Sequence, residues 1–340
     1  MAMTDKPEVA NIAIIGCGRM GRVHAQRLAN DSRARLCAFC DQNVSAADAL
    51  RAEFSSEAPV FDQLRPLLEV PDLHGVVICT PTRFHYEQTL KSLQRGLHVL
   101  CEKPLADDRA LIRRLVKESQ QRRQVLMVGY QRRWWATFRH MKEEIASGRL
   151  GRVRAVASHS SEPWQQSIAG TWRADPKMNP GGFIGDAGSH KIDAVFFVTG
   201  LQATEVAAEV EFCGSRVEIN AKINAQLEGD IPLRMTFHGN APRYTESLFV
   251  HCEKGVLVLH EGKLKQNVGT KIEEIELPEE ESGPNALCNP TVGFLDTILE
   301  GAPNPAPPEC ALPVADFLKA VLQSAETEQV VRIAGTETRR

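Results

Sequence analysis

Ile12-Ala13-Ile14-Ile15-Gly16-Cys17-Gly18-Arg19-Met20-Gly21 is the stretch on which the fold turns. An apolar run of strand character meets a G-x-G-x-x-G loop, and the residues after it, Arg22 to Leu28, read as helix. Gly16 permits the tight turn from strand to helix. Gly18 lets backbone approach a pyrophosphate with no Cβ in the way, and Gly21 lets helix and strand pack closely. An anion placed there meets a helix N-terminus, whose unsatisfied N–H groups and dipole favour negative charge. Arg19 and Met20 lie within the same loop and join the three glycines as cofactor-binding candidates. A second β-like run, Ala34 to Cys40, ends in Asp41, twenty residues beyond Gly21. A carboxylate there accepts the ribose hydroxyls of NAD and repels the 2′-phosphate of NADP. Arg19 is a cation that would serve that phosphate, so NADP stands as the second choice.

Working outward, the alternation of strand and helix continues. Apolar runs recur at Leu36–Cys40, Gly75–Cys79, His98–Cys101 and Val125–Val128, with a shorter one near Pro59–Phe61. Between them lie helical patterns at Val44–Phe54, His85–Arg95 and Leu105–Arg123. Short, near-continuous apolar runs are the mark of strands buried on both faces, and the alternation predicts a parallel, doubly wound sheet. Beyond Gly151 the pattern changes. An irregular stretch rich in Trp, Gly and Pro (Glu162 to Gly182) leads into a helix over Asp186–Val198. β-like runs then follow at Ala203–Cys213, Arg216–Gln226, Pro232–His238, Ser247–Cys252, Gly255–His260 and Thr270–Leu277. These predict an open, mostly antiparallel sheet. Two closing helices, Thr291–Leu299 and Leu312–Glu326, flank a Pro-dense linker. The fold class is therefore α/β, with a Rossmann-type domain over residues 1–130 and an α+β domain over 131–340.

A length of 340 residues is more than one ordinary core supports, which agrees with two domains. A net charge of −3 gives no electrostatic case for nucleic acid. No apolar stretch is long enough to span a bilayer, and residues 1–7 carry no apolar core of a signal peptide, so a loose arm and a cytoplasmic location are expected. Nine scattered cysteines, an odd count, suit a reducing compartment better than a disulfide framework. Cys37 and Cys40 have C-x-x-C spacing, but on a strand they point to opposite faces and read as small buried hydrophobes.

In an open α/β sheet, ligands bind outside the carboxyl ends of the strands. Those ends carry the Gly loop, Asp41, Thr80-Pro81 with His85 a turn later, Glu102-Lys103-Pro104, and Gly129-Tyr130-Gln131-Arg132-Arg133. Lys103 stands out. A lysine beside a bound nicotinamide hydrogen-bonds a substrate hydroxyl and stabilises developing alkoxide charge, although a surface lysine ending a strand has the same appearance. Pro104 fixes the chain after it and allows a cis bond. A second constellation is Asp186, His190 and Asp193, spaced i, i+4, i+7 on one helical stripe, with Ile192, Val195, Phe196 and Thr199 opposite. A carboxylate one turn from an imidazole orients a general base. A capping Asp186 and a core histidine fit that spacing equally well. The glycines before it would let a substrate or the nicotinamide approach the backbone. His190 and Asp193 also hint at a metal, but no third ligand stands at convincing spacing, so none is expected. Trp172 and Arg173 either bind a hydroxylated ligand or pack under the loop and pair with a nearby acid. Trp134, Trp135 and Phe138 read as interdomain packing.

Taken together these residues resemble the Gfo/Idh/MocA family, the glucose–fructose oxidoreductase and inositol dehydrogenase group. The resemblance runs through Gly16–Gly21, Cys40-Asp41, Thr80-Pro81 with His85, and Gly96 through Leu105 with its Glu102-Lys103-Pro104. It continues through Gly148–Gly151, Trp172-Arg173, and Gly181-Gly182 with Asp186, Gly188, His190 and Asp193. It implies an N-terminal Rossmann domain, a C-terminal domain with an open antiparallel sheet, NAD or NADP, and a sugar, inositol or related polyol as substrate. Carried onto this chain, Lys103 is the active-site lysine, His190 the catalytic histidine and Asp186 its supporting carboxylate. Cofactor-binding positions are Gly16, Gly18, Arg19, Met20, Gly21, Asp41, Thr80, Pro81, His85, Glu102 and Lys103. Substrate-binding positions are Lys103, Tyr130, Trp172, Arg173, Asp186 and His190. The resemblance also implies a homodimer or homotetramer paired through the C-terminal sheet. The leading expectation is an NAD(P)-dependent dehydrogenase or reductase in which Lys103 and His190 handle the proton. Two alternatives are a redox-neutral, NAD-retaining glycosidase or lyase, which net cofactor turnover would separate, and a non-catalytic NAD(P) sensor, against which the intact Lys103–Asp186–His190 set argues.

Overall fold

A computed structural model describes residues 7–54, 57–278, 281, 283 and 286–333. The arm expected at residues 1–6 and the polar end expected at 336–340 lie outside the described residues. The chain forms two compact units. One joins the stretch up to Tyr130 with Cys288–Ala311, and the other joins Gln131–Leu287 with the chain from Leu312 onward.

The first unit alternates β1 (Ala10–Ile15), α1 (Arg19–Ala29), β2 (Ala34–Cys40), α2 (Val44–Glu53), β3 (Val60–Phe61), α3 (Leu64–Leu67), β4 (Gly75–Ile78), α4 (Thr82–Gln94), β5 (His98–Cys101), α5 (Arg109–Arg122) and β6 (Leu126–Val128). Its six strands pair in parallel in the order β3-β2-β1-β4-β5-β6. Ile12, Ile14, Val76, Val77, Ile78, Val99 and Leu100 are all fully buried. Strands covered by helices on both faces require apolar side chains at successive positions, which is why the runs are unbroken. The strand order reverses between β1 and β4. That is the topological switch point, where the loops after the two strands diverge and leave a crevice.

The second unit opens with a 3₁₀ turn at Gln131–Trp134, then α6 (Ala136–Ala146), β7 (Val153–Ser161), α7 (Trp164–Ile168), α8 (Gly182–Gly185) and α9 (Ala187–Thr199). The strands β8 (Ala203–Glu211), β9 (Asn220–Leu227), β10 (Ile231–His238), β11 (Thr245–Cys252), β12 (Gly255–His260), β13 (Lys263–Val268) and β14 (Lys271–Ile275) follow. After the return segment with α10 (Pro290–Leu295) come α11 (Ala311–Thr327) and β15 (Val331–Arg332). The nine-stranded sheet runs β14-β13-β12-β11-β7-β10-β9-β8-β15, antiparallel except where β7 pairs in parallel with β10. Along β10, Leu233, Met235 and Phe237 are buried while Pro232 and Arg234 are exposed, so one face carries helices and the other is open.

The sequence reading of 131–340 as one C-terminal domain is corrected by the segment Cys288–Ala311. Its chemistry is complementary to the first unit. Phe294 is fully buried, with its ring 3.3 Å from where a Cβ on Gly75 would stand. Arg33 binds Asp296 at 2.8 Å and Glu300 at 2.5 Å. The Pro-dense stretch lines the free edge of β6, where Ala306 O accepts from Val128 N at 2.9 Å and Asn304 Nδ2 donates to Leu126 O at 2.9 Å. An edge strand left bare would offer those groups to another chain.

Candidate functional site

In the first unit the site is assembled at the switch point. The three loop glycines do different work. A Cβ on Gly16 would lie 2.6 Å from the backbone of Cys79 and Thr80, and its φ of +92° lies in the left-handed region. A Cβ on Gly21 would lie 2.0 Å from the Gly16 carbonyl oxygen. Both positions are closed by the protein's own main chain. A Cβ on Gly18, by contrast, would meet nothing within 4 Å, so this glycine faces open space. Gly18 is also the N-cap of α1, and no side chain caps that end of the helix. The first-turn amides of an eleven-residue helix, Arg19 and Met20 among them, therefore face the same open space with the positive end of the dipole. This cradle has the chemistry of a pyrophosphate site.

Asp41, half-buried after β2, is fixed beside the loop: Oδ2 accepts from Cys17 N at 2.8 Å and Oδ1 from Asn43 N at 2.9 Å. A carboxylate oxygen has two lone-pair sites, so both oxygens keep capacity for ribose hydroxyls. Burial, then Asp41 and Cys40, push the Cys17 thiol up to about 12, and burial pushes Cys37 up to about 12 and Cys40 up to about 11. These thiols are protonated and act as small packing groups.

From β4, Thr80 is half-buried, with its hydroxyl 2.6 Å from Gln88 Oε1, and Pro81 caps α4. His85 is buried between two carbonyls, Nδ1 2.7 Å from Pro104 O and Nε2 2.7 Å from Thr80 O. Burial lowers its pKa by more than the two carbonyls raise it. Its ring fills the space between the loop after β4 and the one after β5, donating to one of the two carbonyls, and it acts on the site through the backbone it packs against. From β5 come Glu102, 9% exposed, and the half-buried Lys103, whose bond to Pro104 is cis. Glu102 Oε2 accepts from Lys103 N at 3.3 Å, and Oε1 lies 3.0 Å from His24 Nε2. Sequence reasoning missed His24; its only signal was a polar residue on the buried face of α1. Tyr130, expected to bind substrate, is 1% exposed and packed away rather than presented.

In the second unit the candidates gather around α9. Asp186 stands at its N-cap, but no side-chain cap bond forms there. Its Oδ2 accepts instead from Arg173 Nε at 2.8 Å and from Trp164 Nε1 at 3.3 Å. The Arg173 guanidinium lies 4.3 Å from the centre of the Trp172 ring. Trp172, Arg173, Asp186 and Trp164 are therefore one connected cluster, and Trp164, held by a tilted ring contact to Phe183 at 5.3 Å, is its unforeseen member. His190 follows one turn after Asp186 and is half-buried.

Several expectations are corrected here. The glycines before α9 pack against their own chain: a Cβ on Gly182 would lie 2.2 Å from Glu218 O, and one on Gly185 2.4 Å from Pro180 O. At these two positions the lack of a Cβ serves the packing of the chain on itself. The helix is not amphipathic, since Lys191 (4% exposed) and Asp193 (0%) are buried beside Ile192 and Val195. Asp193 is held by Arg133 through both oxygens, at 2.6 and 2.9 Å, and Lys191 Nζ lies 2.5 Å from Glu162 Oε1. Arg132, which the sequence groups with the strand-end cluster, is 3% exposed and paired with Glu246 in the second unit. Among the described residues, no group of three or more His, Cys, Asp or Glu side chains is placed to hold a metal ion. None of the described helices is long and apolar enough to cross a membrane.

Comparison with known proteins bears on both units. A model of the GFO/IDH/MocA oxidoreductase family, NAD-binding Rossmann fold, matches residues 10–130, and one of the GFO/IDH/MocA C-terminal domain matches residues 138–258. Over 205 residues the chain is 31% identical to D-glucoside 3-dehydrogenase of Escherichia coli strain K12, covering 60% of this chain and 57% of that one. Over 195 residues it is 30% identical to inositol 2-dehydrogenase of Rhizobium meliloti strain 1021, covering 57% and 56%. The match spans little more than half the length of these relatives. An oxidoreductase domain protein from Kribbella flavida superposes with a TM-score of 0.86 at 24% identity, covering 96% of this chain and 100% of that one, a likeness of fold alone.

Proposed function

The chain belongs to the Gfo/Idh/MocA family of oxidoreductases, and on that premise we propose that it is an NAD-dependent dehydrogenase or reductase acting on a secondary alcohol of a sugar, inositol or related polyol. The observation that carries this reading is the open cradle at Gly18, uncapped at α1 and flanked by the tethered Asp41. NAD, when bound, supplies the hydride acceptor or donor. The residues of this chain do the rest. The amides at the start of α1 hold the pyrophosphate, and Asp41 accepts the ribose hydroxyls and disfavours a 2′-phosphate. Lys103 donates to the reacting oxygen and stabilises its negative charge as it develops. His190 takes the hydroxyl proton, with Asp186, itself steadied by Arg173 and Trp164, as the supporting carboxylate. D-Glucoside and inositol dehydrogenases among the relatives favour a polyol substrate. The nine cysteines are all free, in keeping with the cytoplasm, and the open face of the nine-stranded sheet offers a surface for pairing in a homodimer or homotetramer.

The test is NAD+ reduction against a panel of sugars, sugar acids and inositols, with Lys103→Met and His190→Asn run beside the wild type. Each variant is expected still to bind NAD, His190→Asn with unchanged affinity, and to lose about a hundredfold or more in turnover. Wild-type turnover in either variant would remove that residue from the chemistry. Tight NAD binding with no turnover on any panel member would replace the enzyme reading with that of a sensor.

A further inference from the structure

Three buried side chains from three separate elements of the first unit form a chain that ends at Lys103. Thr291, in the first turn of α10, has Oγ1 2.8 Å from His24 Nδ1. His24, on α1, has Nε2 3.0 Å from Glu102 Oε1. Glu102, after β5, accepts the Lys103 amide through its other oxygen at 3.3 Å. Thr291 and His24 are 0% exposed and Glu102 is 9% exposed. Gly129 makes room for the carboxylate, because a Cβ there would stand 3.0 Å from Glu102 Oε1.

A carboxylate only accepts, which sets the direction the bonds would take. A proton on Nε2 lets the ring donate to Glu102, while a ring protonated on Nδ1 alone would turn a lone pair onto a carboxylate. Burying a carboxylate costs more than packing an apolar side chain of the same size, so packing alone does not account for its presence. Burial by itself would raise the Glu102 carboxyl. The His24 hydrogen bond, with the Lys103 charge nearby, outweighs it and holds the carboxyl below its usual value. The other groups within electrostatic reach are Arg27 on α1 and the thiols of Cys79 and Cys101.

We propose that Thr291 and His24 are positioning residues that hold the Glu102 carboxylate in one orientation against the Lys103 backbone amide, and so fix how the chain presents the Lys103 side chain. The return of α10 to the first unit then has a functional purpose, since it delivers the hydroxyl at the far end of the chain of bonds. The proposal rests on the reading of Lys103 given above, but its test does not depend on turnover.

The full-length protein is labelled with an amine-acylating reagent at about pH 8, and the rate at Lys103 is followed by mass spectrometry. Glu102→Gln should shift the labelling rate of Lys103 about threefold or more, because an amide side chain has one acceptor oxygen and cannot accept from both His24 and the Lys103 N–H. Thr291→Val, which keeps the shape and loses the hydroxyl, should move the rate in the same direction, and Thr291→Ser should restore it. Unchanged rates in both Glu102→Gln and Thr291→Val would overturn the proposal. A second measurement uses the wild-type chain: a slowly exchanging ring proton on His24 Nε2 in the NMR spectrum supports the proposal, and a proton on Nδ1 alone overturns it. In parallel, turnover by Lys103→Met at the wild-type rate would defeat the reading of Lys103 on its own, whatever the labelling shows.

Discussion

Asp41 carries one N–H bond on each oxygen before any ligand arrives, from Cys17 and Asn43. A carboxylate held this way pays little ordering entropy on meeting a ribose, and its charge has a fixed address. Asp41→Ala should therefore weaken NAD by about tenfold and NADP far less, measured by titration of each dinucleotide. Equal losses would mean that the side chain only braces the loop. Asp186 and Asp193 show what spacing can and cannot reveal. Both sit on one predicted stripe, seven residues apart, yet Asp186 meets Arg173 and Trp164 while Asp193 is buried against Arg133. A helical wheel gives the angle of a side chain about its own axis. It contains nothing about which cation another element brings to that angle, and this is why Trp164 and His24 went unseen.

Among the elements, strands buried on both faces were plain in the sequence, because β4 is apolar throughout and β1 and β5 carry a single polar residue each, Asn11 and His98, near their starts. Boundaries moved where caps decide them. α1 begins at Arg19, directly after its glycine cap, and α5 begins at Arg109, because Asp108 accepts from Ala110 N at 2.7 Å. β13 escaped notice since Leu264 is its one buried residue in a strand of Lys, Gln and Asn near the sheet margin. β5 carries a pH effect of its own. His98 Nδ1 accepts from Val125 N at 2.9 Å, and burial, with His74 nearby, lowers its pKa from 6.5 to about 4. The unfolded chain takes up a proton below 6.5 while the folded one resists until about 4, so stability falls as pH drops through that window. The loss attributable to this ring is on the order of 3 kcal/mol. His98→Asn, which keeps an acceptor for Val125, should flatten the slope in urea unfolding between those pH values. An unaltered slope would assign it to another group.

At the level of the molecule, the two compositional halves were legible and the return of Cys288–Ala311 was not, because a helix's apolar face does not say which sheet it covers. A chain ended after Tyr130 should lack the partners of Gly75, Arg33 and the β6 edge, bind a hydrophobic dye and melt without a cooperative transition. Adding residues 288–311 as a peptide should restore cooperativity; a sharp transition without them would show the first unit to be self-sufficient. The same feature sets a schedule for synthesis. The six strands leave the ribosome early, but Thr291, Phe294 and Ala306 emerge only after residues 131–287 of the second unit have been translated. The nascent nucleotide-binding unit must therefore wait, with one flank bare, while its neighbour is still being made. During that interval a chaperone has the most to protect.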